Sequence, residues 1–356
     1  MVMHKIVKQW FLPMLLCCPL WAYGDSSVVI LQYHHVSNDT PVSTSVTPEA
    51  FAKHLRYLSD NNFHVIPLTD AVQALRNKQP LPAKTVALTF DDAYLSIYTQ
   101  AFPLLKAKGW PFTIFVSTAP VDKRYQKFLS WEQIQEMTRS GATIANHTRH
   151  HDHSIERLPK ETEKEWINRF RKDLEATEAR IKEKTGQSVK QFAWTFGETA
   201  PALRQELSRL GYTGFGQQSG AAGEHSDFTR LPRFPMAGPY GGNDFGIKAK
   251  SLALPVLNQT PDSSIISEDN LQPELTLTLK PGDYQKKQLK CYASNQGELK
   301  VEWLDKEMTR LKTQANQPLP VGRSRYNCTA PSNSGKQYYW YSHAWVRLAS
   351  DGRAID

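Results

Sequence analysis

The sequence predicts an α/β domain built on a largely parallel sheet or barrel, followed by a smaller all-β module. Three observations lead there. From residue 25 to about 258, short β-branched runs alternate with amphipathic stretches of helical period. From about residue 260 the texture changes to short alternating strands separated by turn residues. One buried run, "TVALTFDDAY" (85–94), ends on two adjacent carboxylates, Asp91 and Asp92, at the kind of strand end where α/β barrels gather their active sites.

The elements follow in order. His4, Lys5 and Lys8 precede "WFLPMLLCCPLWAYG", a short apolar core ending in small residues. Residues 1–24 thus read as an export signal, placing the chain in the periplasm or outside the cell. The run is too short and too interrupted by proline for a membrane span. Cys17 and Cys18 fall inside it, without the small residues of a lipid-anchor site before them. That leaves Cys291 and Cys328, a pair expected to be bonded in an oxidising compartment. A hydrophobic content of 40% with 22% charged residues is ordinary for a globular chain. The net charge of +8 comes without a Lys/Arg cluster, so nothing argues for nucleic acid as a partner.

Strands are expected at 28–33, 64–67, 85–90, 112–116, 142–146 and 190–194, and helices at 48–61, 95–108, 131–140 and 160–185. Ser130 and Gln133 form a capping-box pair ahead of the third helix. A polar linker, "NQTPDSSIISEDNLQP" (258–273), closes the first domain, which spans 25–258. The remainder, 259–356 including the linker, holds "ELTLTL", "QLKCYAS", "LKVEWL", "RYNCTA" and "YYWYSHAWVRL". Cys291, Trp303 and the Tyr326-x-Cys328 pair resemble an immunoglobulin-type sandwich, with its disulfide crossing the core beside a tryptophan.

Two carboxylates side by side repel unless a cation lies between them or one is protonated. A helix N-cap explains one aspartate and not both. A second polar cluster, "ANHTRHHDH" (145–153), closes another strand. His147 and His151, four apart, are spaced to share a cation with a carboxylate from a neighbouring strand, as in hydrolytic zinc sites or non-haem iron triads. His150 and His153 read as solvent-facing or supporting residues.

"TFDD" followed about fifty residues later by "HTRHH" resembles the first two motifs of the NodB-homology polysaccharide deacetylases, over residues 26–250. The resemblance implies a distorted (β/α) barrel and hydrolysis of N-acetyl groups from an N-acetylglucosamine-containing polysaccharide, with acetate released. It implies one divalent metal ion, zinc first and iron, cobalt or nickel as alternatives, held by Asp92, His147 and His151, with Asp91 as general base. Two departures narrow the branch. "FAWTFGE" (192–198) lacks the arginine of the usual third motif, and Arg233 in "RLPRFP" resembles its replacement, pairing with Asp91. The usual late Leu-x-x-His is missing, and Leu31-Gln32-Tyr33-His34 supplies one on the first strand. This permuted order resembles the poly-β-1,6-N-acetylglucosamine deacetylases of biofilm systems and makes His34 the general acid, with His35 facing the other way. Trp194 and Phe196 are candidates for stacking on sugar faces, core packing being the other reading, and a backbone N–H near Phe196 is the expected oxyanion donor. Alternative substrates are peptidoglycan, chitin oligomers and acetylated xylan; a non-catalytic carbohydrate-binding protein is the rival class.

Overall fold

The computed structural model describes residues 26–238, 242 and 244–355. The run read as an export signal lies outside the described residues. Among those residues no helix is long and apolar enough to cross a membrane.

Six strands lie side by side, all parallel and in chain order: β1 (Ser27–Tyr33), β2 (Thr85–Asp91), β3 (Phe112–Val116), β4 (Ala142–Asn146), β5 (Gln191–Ala193) and β6 (Thr213–Phe215). Helices and loops cover the faces, so the strands read as continuous apolar runs without alternation; β2 is buried at every position. The sheet curls until its edges approach. Leu231 bridges Phe215 of β6, while Phe234 and Pro235 pair with Leu31 and Gln32 of β1, both in parallel sense. The segment 231–235 thus spans the gap between the last and first strands and carries Arg233 across it. A curled sheet of this kind fits the distorted barrel expected.

The connecting helices are α1 (Pro48–Asp60), α2 (Leu68–Arg76), α3 (Phe102–Lys108), α4 (Thr118–Asp122), α5 (Trp131–Arg139), α6 (Glu163–Thr185), α7 (Pro201–Arg209) and α8 (Phe245–Ala249). Their starts are written in the sequence. Thr47 accepts from the Ala50 N–H, and both α5 and α6 open with capping boxes, Ser130–Gln133 and Thr162–Glu165. The helix expected at 95–108 differs: Ile97–Ala101 is a π turn ahead of α3. Pro103 has no N–H to give the Thr99 carbonyl, and the turn before it widens.

From Val256 onward the described elements are strands and one short 3-10 turn. They are β7 (Val256–Thr260), β8 (Glu274–Leu279), β9 (Lys290–Ala293), β10 (Gly297–Leu299), β11 (Val301–Trp303), β12 (Arg310–Gln314), β13 (Gly322–Pro331) and β14 (Tyr338–Arg347). One sheet runs β14-β13-β9-β10, extended at the β14 edge by Leu252–Ala253, and the other runs β7-β8-β12-β11. Burial alternates along β8 and β13, the period expected when one face meets a core. That core holds Leu275, Leu277, Leu279, Leu311, Tyr326 and Trp345.

Two details differ from the immunoglobulin-type expectation. Cys291 and Cys328 are bonded, but they are register partners on β9 and β13 of one sheet, so the bridge joins neighbours and does not cross the core. The fully buried tryptophan is Trp345, edge-on to Tyr326 at 5.3 Å, whereas Trp303 on the short strand β11 is only half-buried. Tyr326 is anchored as its position two residues before the cysteine suggests: its hydroxyl donates to the Pro273 carbonyl and accepts from the Ala315 N–H, both at 2.9 Å.

Candidate active site

The site lies where β2, β4 and β5 end. Five residues other than glycine adopt left-handed backbone there: Asp92 (φ 71°), Ala93 (62°), Thr148 (65°), His151 (64°) and Phe196 (57°). Side chains other than glycine enter this region at a cost, and such strain persists where surrounding contacts hold it, typically at functional sites. At Asp92 the left-handed turn breaks the strand immediately after Asp91 and sends the two carboxylates into different surroundings. No helix N-cap is involved, since β2 runs straight into this turn.

Asp92 faces two imidazoles. His147 Nε2 and His151 Nε2 both lie 3.1 Å from Asp92 Oδ1. His147 Nδ1 lies 2.8 Å from the Ala193 carbonyl oxygen, which only accepts, so the proton sits on Nδ1 and Nε2 presents a lone pair. That nitrogen and Asp92 Oδ1 are buried and neither has a hydrogen-bond partner. Two electron-rich atoms aimed at one another inside a protein call for a cation between them. The donor atoms of Asp92, His147 and His151 lie within 4.8 Å of one another. Two neutral imidazoles and one carboxylate fit a divalent ion of the zinc type, with coordination positions left over. The loop bearing the imidazoles is pinned: the Ser117 hydroxyl donates to the His147 carbonyl at 2.7 Å, and the His151 N–H to the Thr148 hydroxyl at 3.0 Å.

Asp91 is buried and bound on three sides. Arg233 donates to both its oxygens, Nη1 to Oδ1 at 2.7 Å and Nη2 to Oδ2 at 2.8 Å, in a bidentate fork. Gln32 of β1 donates to Oδ2 at 2.7 Å. Arg233 is itself fully buried and also donates from Nε to the Gly216 carbonyl. Burial works to raise the Asp91 pKa, but the charge and hydrogen bonds of Arg233, helped by neighbouring imidazoles, hold it below the ordinary carboxylate value. His34 comes off the end of β1 with its side chain 15% exposed and its Nε2 3.9 Å from Asp91 Oδ2. His35 stacks on Tyr94 at 3.6 Å.

The third region follows β5. Trp194 is fully buried, stacked on Phe170 at 5.4 Å, and its Nε1 donates to the Thr229 carbonyl. It offers no face to a sugar: the wide ring fills the space between β5 and α6, and core packing is the reading that holds. Phe196 is half-buried, edge-on to His151 at 4.6 Å and stacked on His153 at 3.9 Å. His150 is exposed. Gly197 beside them needs its missing side chain, because at φ 72° a Cβ would come within 2.7 Å of Gln217. Three participants escaped the sequence reading. Gln32 sits inside the Leu-x-x-His quoted for His34, and Glu198 ends the "FAWTFGE" stretch. Tyr94 ends the opening motif, and burial together with the Asp92 carboxylate pushes its hydroxyl pKa well up.

With this geometry in view, comparison with known proteins is direct. Residues 78–215 match the family described as polysaccharide deacetylase. The matched residues belong to a polysaccharide deacetylase domain of the NodB type. The deacetylase domain is similar, at 28% identity over 251 residues, to the Escherichia coli K12 protein named poly-beta-1,6-N-acetyl-D-glucosamine N-deacetylase. The match takes in 60% of this chain and only 37% of that relative. Among solved structures, that of IcaB from Ammonifex degensii superposes with a TM-score of 0.53 at 26% identity, covering 64% of this chain and 99% of the other. The Streptococcus pyogenes deacetylase PplD, in complex with acetate, has a TM-score of 0.55 at 22% identity, covering 60% and 94%; it shares the fold.

Proposed function

We propose that the deacetylase domain removes N-acetyl groups from an N-acetylglucosamine-containing polysaccharide, in the manner that the names of its relatives suggest. The observation that carries this reading is the opposite treatment of two adjacent aspartates. Asp91 is locked to Arg233, while Asp92 faces two imidazoles. Asp92, His147 and His151 would hold the divalent ion, zinc by the character of the donors. Bound there, the ion would supply Lewis-acid polarisation of the acetamide carbonyl and a lowered pKa for water.

The chain's own groups do the rest. Asp91, kept ionised by Arg233, takes a proton from water as its oxygen attacks the acetyl carbon. With the N–H groups of Gly197 and Glu198 engaged by the Trp194 and Thr195 carbonyls, the oxyanion donor expected in this loop is the Phe196 N–H. His34 gives a proton to the nitrogen as the C–N bond breaks, leaving a glucosamine amine and acetate. Phe196 edges the site as the one remaining aromatic candidate for sugar contact. The experiment is metal-dependent acetate release from β-1,6- and β-1,4-linked N-acetylglucosamine oligomers. Release from the β-1,6 series after zinc loading, abolished by chelation, supports the reading; binding of either series without acetate release would favour the non-catalytic class.

For the remainder we infer an exported protein whose C-terminal sheets form a separate immunoglobulin-like module. Two antiparallel sheets around one core support that assignment. The division expected at 258/259 falls inside β7, which pairs with β8, so we place it ahead of Val256.

A further inference from the structure

The β13–β14 hairpin reaches back to the active centre. Arg323, one residue into β13, donates from Nη1 to Glu198 Oε1 at 3.0 Å, and its guanidinium lies 5.1 Å from the centre of the Phe196 ring. Glu198 is 1% exposed. Its other oxygen lies 2.7 Å from His153 Nδ1, which carries the proton because a carboxylate oxygen accepts. The His153 ring is parallel to Phe196 within 8°, and Phe196 stands edge-on against His151. A line of contact therefore runs from the C-terminal strands through a buried carboxylate and two rings to the imidazole of His151.

Three features give that line a functional sense. His151 is the most exposed of the three facing residues, with 28% of its side chain accessible against 0% for His147 and 8% for Asp92, so its placement depends most on what walls it. Phe196, the wall, holds a left-handed backbone that needs support from outside its own loop. Glu198, buried and divided between Arg323 and His153, tolerates the loss of neither cheaply. The same hairpin touches the other arm of the site, where Trp340 of β14 meets Phe234, the residue after Arg233, edge-on at 5.2 Å.

We propose that Arg323 is a positioning residue of the deacetylase centre. Through Glu198, His153 and Phe196 it fixes the His151 imidazole, so that the site is incomplete without the C-terminal hairpin. This rests on the reading of His151 as a metal ligand.

The test uses the full-length protein and three measurements: zinc dissociation constant by chelator competition without substrate, kcat and KM on an N-acetylglucosamine oligomer, and melting temperature. Arg323→Met is expected to weaken zinc binding by about 10- to 100-fold, as removal of supporting partners around metal ligands typically does. Its kcat falls in step while KM stays near the wild-type value. Arg323→Lys, which keeps the charge and loses the planar fork, recovers part of both. Lys290→Met, on the neighbouring strand β9, leaves all three unchanged. An Arg323→Met protein that melts lower yet binds zinc and turns over like the wild type would make the residue interdomain glue and overturn the proposal. If Arg323→Met does not fold, Arg323→Lys with unchanged zinc affinity and kcat overturns it equally. Wild-type protein that binds no zinc overturns the metal reading of the site together with this one.

Discussion

Replacing Asp91 by asparagine removes a charge and one acceptor oxygen from the Arg233 fork, while keeping the side chain's size and leaving Asp92 in place. Asp91→Asn is therefore expected to retain zinc and lose turnover by about 10²- to 10⁴-fold, the usual worth of a general base. Asp92→Ala and His147→Ala should lose zinc and activity together; zinc analysis beside acetate release on the same preparations separates the two outcomes. If Asp91→Asn kept a near-normal rate, the division of labour between the neighbours would fall. The same residue makes the metal-free protein sensitive to acid. Its folded pKa lies below the ordinary value, close to 4 in an unfolded chain, roughly. The folded state thus binds fewer protons across that interval. The stabilisation is fully present above the unfolded pKa and is lost as pH falls through the folded one. Urea melts of zinc-free protein between about pH 6 and pH 3 should therefore show a weaker acid dependence in Asp91→Asn than in the wild type. Much of this was legible because chemistry-bearing residues sit next to one another in the chain: two aspartates, two histidines four apart. Glu198 and Gln32 were not, because nothing in a single glutamate or glutamine announces that a fold will bury it against a particular histidine or aspartate.

Strands were legible from their texture. Runs buried on both faces, such as "FTIFV" and "ATIAN", have no alternation to misread, and the structure ends them at the residues expected. Helix starts were legible where a cap carries them, as at Ser130 with Gln133. The π turn at Ile97–Ala101 was not, since its cause is one missing N–H several residues along. In the C-terminal sheets the cysteine pairing could be read from arithmetic, yet its geometry could not. Spacing does not say whether two strands share a sheet, and only the register of β9 against β13 brings Cys291 opposite Cys328. Because the bridge ties two strands that already pair, its removal should lower the temperature up to which the C-terminal sheets, and with them Arg323 on β13, stay in place. Cys291→Ser with Cys328→Ser is expected to cost about 2–5 kcal/mol, typical for a native bridge in a small exported domain. Calorimetry should show the melting of these sheets moving down, with acetate release preserved at temperatures where they remain folded. Two free thiols in the oxidised, folded wild type would contradict the bond itself.

At the scale of the whole molecule, the closing of the sheet bears on which histidine would serve as acid in the proposed reaction. A general acid must come within hydrogen-bond reach of the leaving nitrogen and must be held there. β1 is a central strand, flanked by β2 on one side and by Phe234–Pro235 on the other. That places His34 at the end of the first strand beside Arg233, which arrives two hundred residues later on the segment that closes the ring. On the proposed reading the sequence order is permuted while the spatial order is kept, so that an early Leu-x-x-His would serve where a late one is missing. Its partner histidines are placed otherwise. His35 stacks on Tyr94, His153 is engaged by Glu198, and His225 lies 3.1 Å from Glu224. The expectation is therefore a contrast between neighbours. His34→Ala should fold, hold zinc and lose about 10²- to 10⁴-fold in kcat, while His35→Ala should cost far less. Since an acid works only when protonated, the basic limb of the pH–rate profile should vanish in His34→Ala. A His34→Ala protein that binds zinc and turns over normally, with the basic limb intact, would mean that the first strand brings no acid to the site and that the permuted reading of the ring is wrong.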